Sequence, residues 1–316
     1  ENGDGIATFF IQRMFLKRLI GDSHRTPTPH YPLEDSLLNC SYCLSKSQFL
    51  INPAKGFSSL FELRKLNMDR WVGKIAVVTG ASAGIGQGIA KLLAEEGMIV
   101  VAVARREDRL KELAASTRSK KGGKVVPCAA DITKNDQLLK VIQQADALGG
   151  ISVLVNNAGT AINTQVTDGE IDKWRTMFEL NVFAMGGLVR EALKSMKKTG
   201  IVGHIINISS ISAYGVPDGT GKHVYNGTKH AVRLVTEGIR AELTAAKSKV
   251  KITMVSPGLV DTEIFGVGDW EVERMRALPI LKPEDVALAC VQVLSTPPHV
   301  LCTDYIIRPV GETIPA

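Results

Sequence analysis

The stretch from Lys74 to Leu93, KIAVVTGASAGIGQGIAKLL, restricts the fold of this chain more than any other. Lys74–Thr79 is an apolar run of strand length without polar alternation, the pattern of a strand covered on both faces. Glycines stand at 80, 84 and 86, and Ile89, Ala90, Leu92, Leu93 and Ala94 then recur at helical spacing. Strand, glycine turn and helix in this order form a βα unit whose helix N-terminus points its free N–H groups at a ligand. Such a turn suits a pyrophosphate, because glycine lets the backbone come close and the helix end attracts anions. The spacing is G-x-x-x-G-x-G, a variant of the dinucleotide fingerprint, and the candidate cofactor residues are Gly80, Ser82, Gly84, Ile85 and Gly86.

The same alternation continues. Met98–Ala104 reads as a second strand and ends in Arg105-Arg106. In a fold of this kind an acidic residue about twenty positions past the glycines would hold the ribose hydroxyl of NAD. Two arginines stand there instead, and a planar guanidinium matches the 2′-phosphate of NADP. The plainer alternative is a solvated charge cluster opening the next helix, since Glu107, Asp108 and Arg109 follow at once. Val125–Cys128 is the third strand, leading to Asp131-Ile132, a polar–apolar pair suited to the edge and face of adenine. Ile151–Val155 is the fourth and runs into Asn156-Asn157-Ala158-Gly159, small and amide residues that permit close approach of a cofactor. Repeated βα units with right-handed crossovers predict an α/β fold: a doubly wound, mainly parallel sheet of about seven strands, helices on both faces and ligands at the strands' carboxyl ends.

The second half supplies candidate chemistry. A helix over Glu170–Met196 carries Asn181 among apolar neighbours, where an amide is either functional or simply a satisfied buried side chain. His204–Ser210 is a fifth strand and delivers serines to the carboxyl edge. Fifteen residues later, Tyr225 and Lys229 stand four apart with Ala231, Val232, Leu234 and Val235 at helical spacing, which puts both polar heads on one helix face. A free phenol has a pKa of roughly 10, and a nearby ammonium lowers it, making the tyrosine a general acid/base. A serine hydroxyl beside it would polarise a carbonyl. A serine nucleophile is disfavoured, as the G-x-S-x-G elbow and a hydrolase-ordered aspartate and histidine are lacking. Lys251–Ser256 is a sixth strand, after which Pro257, Gly258, Val260 and Thr262 are placed to hold a nicotinamide amide. Residues 263–280 read as an irregular segment whose Phe265, Trp270, Met275 and Leu278 would line an apolar pocket or lid, or else simply pack. Pro283–Leu294 is a further helix and Tyr305–Arg308 a last strand.

The 316 residues are 45% hydrophobic and 22% charged, and the net charge of +6 is spread without a block of like charges, which speaks against nucleic acid as a partner. Five scattered cysteines do not form a secreted disulfide framework and favour a reducing, cytoplasmic compartment. No apolar run reaches the length of a transmembrane segment. Residues 1–67 differ in character. Phe9–Ile20 is a short stretch of bulky apolar and basic residues that would suit an amphipathic targeting or surface-associating helix, Pro27, Pro29 and Pro32 mark a linker, and Cys40 and Cys43 stand at metal-ligand spacing without a second pair. No metal site is expected. The functional unit is expected at 68–316, with 1–67 a poorly ordered, non-essential extension.

Taken as a set, Thr79-Gly80-x-x-x-Gly84-Ile85-Gly86, Asn156-Asn157-Ala158-Gly159, Asn181, Ser210, Tyr225-x-x-x-Lys229 and Pro257-Gly258 resemble, in order, the motifs of the short-chain dehydrogenase/reductases. The resemblance covers about residues 70–316 and implies a single Rossmann-type domain binding NADP(H). It implies that Tyr225 passes the proton, that Lys229 lowers the phenol's pKa and holds the nicotinamide ribose, that Ser210 rather than Ser209 orients the substrate oxygen, and that Asn181 supports a water relay. The serine–tyrosine spacing is slightly longer than the family's commonest, implying a small insertion within Pro217–His223. Met68-Asp-Arg-Trp71-x-Gly-Lys74, Ala104-Arg105-Arg106 and Tyr225-Asn-x-Thr-Lys229-His-Ala-Val are similar to the NADP-dependent insect farnesol dehydrogenases and to vertebrate relatives that reduce steroid and other carbonyls. The implied substrate is an apolar small-molecule alcohol or carbonyl, an isoprenoid alcohol such as farnesol or a steroid-like ketone. Small reactive carbonyls, or NADP binding without catalysis, remain the alternatives, and a homodimer or homotetramer is implied.

Overall fold

A computed structural model describes residues 67–215, 221–267 and 272–312, all within the compact unit Glu62–Ala316. The features expected at Phe9–Ile20, the proline-rich linker, Cys40 and Cys43, most of the insertion at Pro217–His223, Trp270 and the Met275 side chain lie outside that description.

Seven strands form one sheet in the order β3-β2-β1-β4-β5-β6-β7: β1 (Ile75–Thr79), β2 (Ile99–Ala104), β3 (Lys124–Ala129), β4 (Ile151–Asn156), β5 (His204–Ile208), β6 (Lys251–Pro257) and β7 (Asp304–Ile307). Every neighbouring pair is parallel. The unbroken apolar runs are explained by period 2: Ala76 and Val78 of β1 face one hydrophobic core, Ile75 and Val77 the other. The first core also takes Ile89 and Leu93 from α1 (Gly84–Glu95), Leu110 from α2 (Glu107–Ser116) and Val286 and Cys290 from α9 (Pro283–Ser295). The second takes Leu138 and Val141 from α3 (Asn135–Ala147), Leu188 and Met196 from α5 (Met185–Thr199) and Val232 from α6 (His223–Ala245). The sheet is thus doubly wound as expected, and wholly parallel.

Sequence order runs outward from β1 in one direction and from β4 in the other, so the crossovers diverge at this junction and open a crevice above the strands' carboxyl ends. At the opposite edge, Met68 is fully buried and the indole of Trp71 donates to the carbonyl of Leu294 at 2.9 Å, joined by Arg70. This carbonyl belongs to the last turn of α9 and would otherwise lack a partner. The helix expected over Glu170–Met196 is realised as α4 (Ile171–Phe178), a π-helical turn over Glu179–Ala184 and α5. Asn181 sits on the π turn, a form often found at functional positions. The segment 263–280 is less irregular than expected. It contains α7 (Ile264–Val267) and α8 (Val272–Arg276), and Phe265 is 2% exposed, so this side chain packs inward as core and is not an exposed pocket wall, whereas Leu278 is exposed. Among the described residues no helix is long and apolar enough to cross a membrane.

Candidate active site

A cleft of about 540 Å³ opens at the switch point. Of the expected cofactor residues, Gly80, Ser82, Gly84, Ile85, Arg105, Arg106, Asp131, Ile132, Asn157, Ala158, Gly159 and Thr262 line it. Gly86 lies within the turn, where its role is steric: a Cβ there would fall 2.4 Å from Asn157 Nδ2 and 2.4 Å from the Gly80 carbonyl oxygen. Gly80 and Gly84 adopt φ of +68° and +54°, the left-handed region that costs other residues strain. The N-cap of α1 is Ala83, which offers no side-chain acceptor, so the first N–H groups of the helix remain available to an anion. Thr79 couples the two central strands: its Oγ1 accepts from the N–H groups of Asn157 and Ala158, both at 3.0 Å, while Asn157 Nδ2 donates to the Thr79 carbonyl at 2.9 Å. A close-approach cradle, uncapped helix N–H groups and nearby guanidinium groups fit a dinucleotide phosphate.

The two arginines face different partners. Arg106 donates through Nε and Nη2 to Ser82 Oγ, at 3.1 and 2.9 Å, and through Nη1 to Glu263 at 2.8 Å. Glu263 also pairs with Arg109. Arg105 acts on Asp131 through its charge: burial pushes that carboxyl up, but hydrogen bonds from Thr133 and the charges of Arg105 and Lys134 together hold it below the usual range.

Beyond the cleft's inner end, the start of α6 presents Tyr225 and Lys229. The Lys229 ammonium is buried, donates to the Ile208 carbonyl at 3.2 Å and lies 5.7 Å from the centre of the Tyr225 ring. Ser210 N-caps the 3₁₀ turn Ile211–Ala213, accepts from the Ser212 N–H at 3.1 Å and stands close enough to the Tyr225 hydroxyl to pull its pKa down. Ser209 is buried with its N–H committed to Val255, so of the two serines Ser210 is the one at the tyrosine. Asn181 is 3% exposed: its Oδ1 accepts from the Thr160 N–H at 2.8 Å, and its Nδ2 donates to the Thr160 carbonyl at 2.8 Å and to Thr228 Oγ1 at 3.0 Å. Across Gly159 it approaches Lys229, because a Cβ on that glycine would be 3.3 Å from Asn181 Oδ1 and 3.9 Å from Lys229 Nζ.

The electrostatics differ from expectation in one respect. Burial pushes the Tyr225 phenol up to about 12, against a smaller downward pull from Ser210, and it pushes Lys229 down to about 8. The ammonium sits against the ring and aims at a carbonyl, so desolvation and not the ammonium sets the direction for the phenol. The set therefore holds a proton on the tyrosine beside an amine that titrates close to neutrality.

Pro257, Gly258 and Val260 are not among the residues lining the cleft. The Gly258 N–H pairs with Ile307, the Leu259 N–H with Glu312 at 2.9 Å, and Val260 forms a bridge with Leu281. Among the described residues no group of three or more His, Cys, Asp or Glu is arranged for a metal. Three participants escaped the sequence reading: Thr79 and Thr228, which fix Asn157 and Asn181, and Glu263. The threonines carry a local signal, since each lies inside a motif already singled out; Glu263 carries none, because its partners are over 150 residues away.

The short chain dehydrogenase family profile matches residues 74–269. The chain belongs to this family. Dehydrogenase/reductase SDR family member 11 of Gallus gallus is 41% identical over 253 residues, which cover 78% of this chain and 99% of that protein. A farnesol dehydrogenase of Aedes aegypti is 39% identical over 247 residues, 78% of this chain and 99% of that one. Among solved structures, the closed form of a serine dehydrogenase complexed with NADP+ superposes with a TM-score of 0.69 at 30% identity, covering 76% of this chain and 96% of the other. As a short-chain dehydrogenase the protein is an oxidoreductase of CH–OH groups, from a family that uses nicotinamide cofactors.

Proposed function

We propose that this short-chain dehydrogenase is an NADP(H)-dependent enzyme interconverting an alcohol and a carbonyl on an apolar substrate, with an isoprenoid alcohol such as farnesol as the leading class. The observation that carries the reading is the convergence of Ser210, Tyr225 and Lys229 just beyond one end of a cleft whose wall holds Arg106 braced on Ser82. Arg106, with Arg105 beside it, would take the 2′-phosphate; the glycine turn and the α1 N-terminus would take the pyrophosphate, and Asp131 and Ile132 the adenine. When bound, the nicotinamide supplies or accepts the hydride.

The chain's own residues handle the proton. In reduction, Ser210 Oγ orients the carbonyl oxygen and Tyr225 delivers its proton to it. The raised phenol pKa suits this donor, because the group enters the reaction fully protonated. The Lys229 ammonium then returns a proton to the tyrosinate, and a water held near Gly159 and Asn181 refills the lysine. Alcohol oxidation runs the same relay backwards. The similarity to a farnesol dehydrogenase supports the apolar substrate.

We further propose that 68–316 is the functional unit and 1–67 dispensable to it, that the enzyme works in the cytoplasm, as free Cys128, Cys290 and Cys302 favour, and that it forms a homodimer or homotetramer through apolar side chains such as exposed Phe183 and Leu234. The test is NADPH and NADH consumption by the 316-residue chain against isoprenoid aldehydes, steroid ketones and dicarbonyls. Turnover with NADPH on the isoprenoid aldehydes is the expected result. Turnover confined to dicarbonyls would overturn the substrate, and tight NADPH binding without turnover on any carbonyl or alcohol would overturn the enzyme assignment.

A further inference from the structure

The placement of Glu263 bears on how the cofactor enters. This residue lies two positions before Phe265, on the segment that leaves β6 and crosses the glycine turn: the Thr262 methyl is 3.0 Å from where a Cβ on Gly84 would be. Thr262, Glu263 and Ile264 all line the cleft. From there the Glu263 carboxylate reaches Arg106 and Arg109, closing a bridge from the β6 loop to the start of α2. Arg106 is the same guanidinium that Ser82 braces, with Nε and Nη2 on the serine and Nη1 on the glutamate. Its donors are thus already engaged by an acceptor of the geometry a phosphate would use.

We propose, building on the NADP reading above, that Glu263 is a built-in competitor for the cofactor's 2′-phosphate and sets how strongly the enzyme prefers NADP over NAD. A phosphate dianion and a carboxylate compete for the donors and charge of one guanidinium and repel each other across it, so the phosphate docks more favourably when Glu263 gives up Arg106. NAD carries a 2′-hydroxyl there. It can accommodate the carboxylate, or even donate to it, so the cost of displacing Glu263 falls on NADP alone. The two arginines hold the Glu263 carboxyl below its usual range, which keeps it charged and competitive across neutral pH.

Both ion pairs are about half exposed, which makes the competition modest in size. The probes are adenosine 2′,5′-bisphosphate and adenosine 5′-monophosphate, which differ only in the 2′-phosphate, titrated by calorimetry into the full chain alongside NADP+ and NAD+. Glu263→Gln keeps the shape and removes the charge. It should tighten the bisphosphate and NADP+ about three- to tenfold, with the monophosphate and NAD+ changed by less than about twofold. In an Arg106→Gln background the gain should vanish, because the two residues act through one contact. A Glu263→Gln protein that binds the bisphosphate unchanged or more weakly, or that tightens both nucleotides alike, overturns the proposal. If Arg106→Gln alone leaves bisphosphate binding intact, the NADP reading fails; if it weakens binding while Glu263→Gln is silent, only the role of Glu263 fails.

Discussion

The two ends of the crevice are built from different materials. At the β1–α1 end the geometry is made by backbone: two glycines at positive φ, a third that admits no Cβ, and helix N–H groups left uncapped. At the Tyr225 end it is made by hydrogen bonds between buried side chains and neighbouring groups, with Asn181 held by Thr160 and Thr228, and Asn156 joined through its Nδ2 to Asn207 and thence to Thr236. A backbone cradle tolerates no added atoms but needs few specific partners. A polar side-chain network tolerates volume better than it tolerates the loss of one hydrogen-bonding group, because each orphaned buried partner costs its full desolvation penalty. On the proposed reading the first design recognises the cofactor, while the second keeps Lys229 buried beside Tyr225.

The largest effect should separate chemistry from binding. Tyr225→Phe removes the proton donor and leaves the cradle intact, so steady-state carbonyl reduction should fall by about 10²–10⁴-fold while the cofactor Kd moves little. A variant retaining wild-type turnover would end the proposed proton relay. Gly86→Ala attacks the other end. The new methyl meets the Asn157 side-chain amide and the backbone oxygen of Gly80, and the latter cannot swing away, so nucleotide affinity should drop by about tenfold or more and stability by about 1–3 kcal/mol, read by calorimetry and denaturant unfolding.

Lys229→Met probes the tension between function and stability. Burial lowers the folded pKa of Lys229 to about 8, while the unfolded side chain titrates near 10.4. Between these values the unfolded chain binds more protons, so this group makes stability rise with pH from about 8 toward 10. The inactive methionine variant should therefore be more stable than wild type at pH 7 by about 1–2 kcal/mol, and the gap should close across that window. A gap that widens with pH would show that the lysine is not strained by burial. The smallest effect is expected for Thr228→Val, which strips one acceptor from Asn181 and should cost about 1 kcal/mol with a similar loss in kcat but not in cofactor Kd.

Much of this site was legible beforehand, and the contrast between its two ends explains which part. Glycine spacing after an apolar run reports local backbone demands, and these are written within about a dozen residues of sequence. Hence β1, the turn and α1 were readable, and so was the tyrosine–lysine pair, whose partners lie one helical turn apart. Unbroken strands alternating with amphipathic helices likewise determined a parallel sheet wound on both faces, since apolar residues on both sides of a strand require two cores. What needed tertiary structure was every property set by partners distant in sequence. Phe265 turned inward rather than toward a substrate, burial rather than the neighbouring ammonium came to govern the Tyr225 phenol, and Glu263 found Arg106 and Arg109 across the cleft. Burial and charge depend on the whole set of surrounding atoms, and one stretch of chain carries only its own.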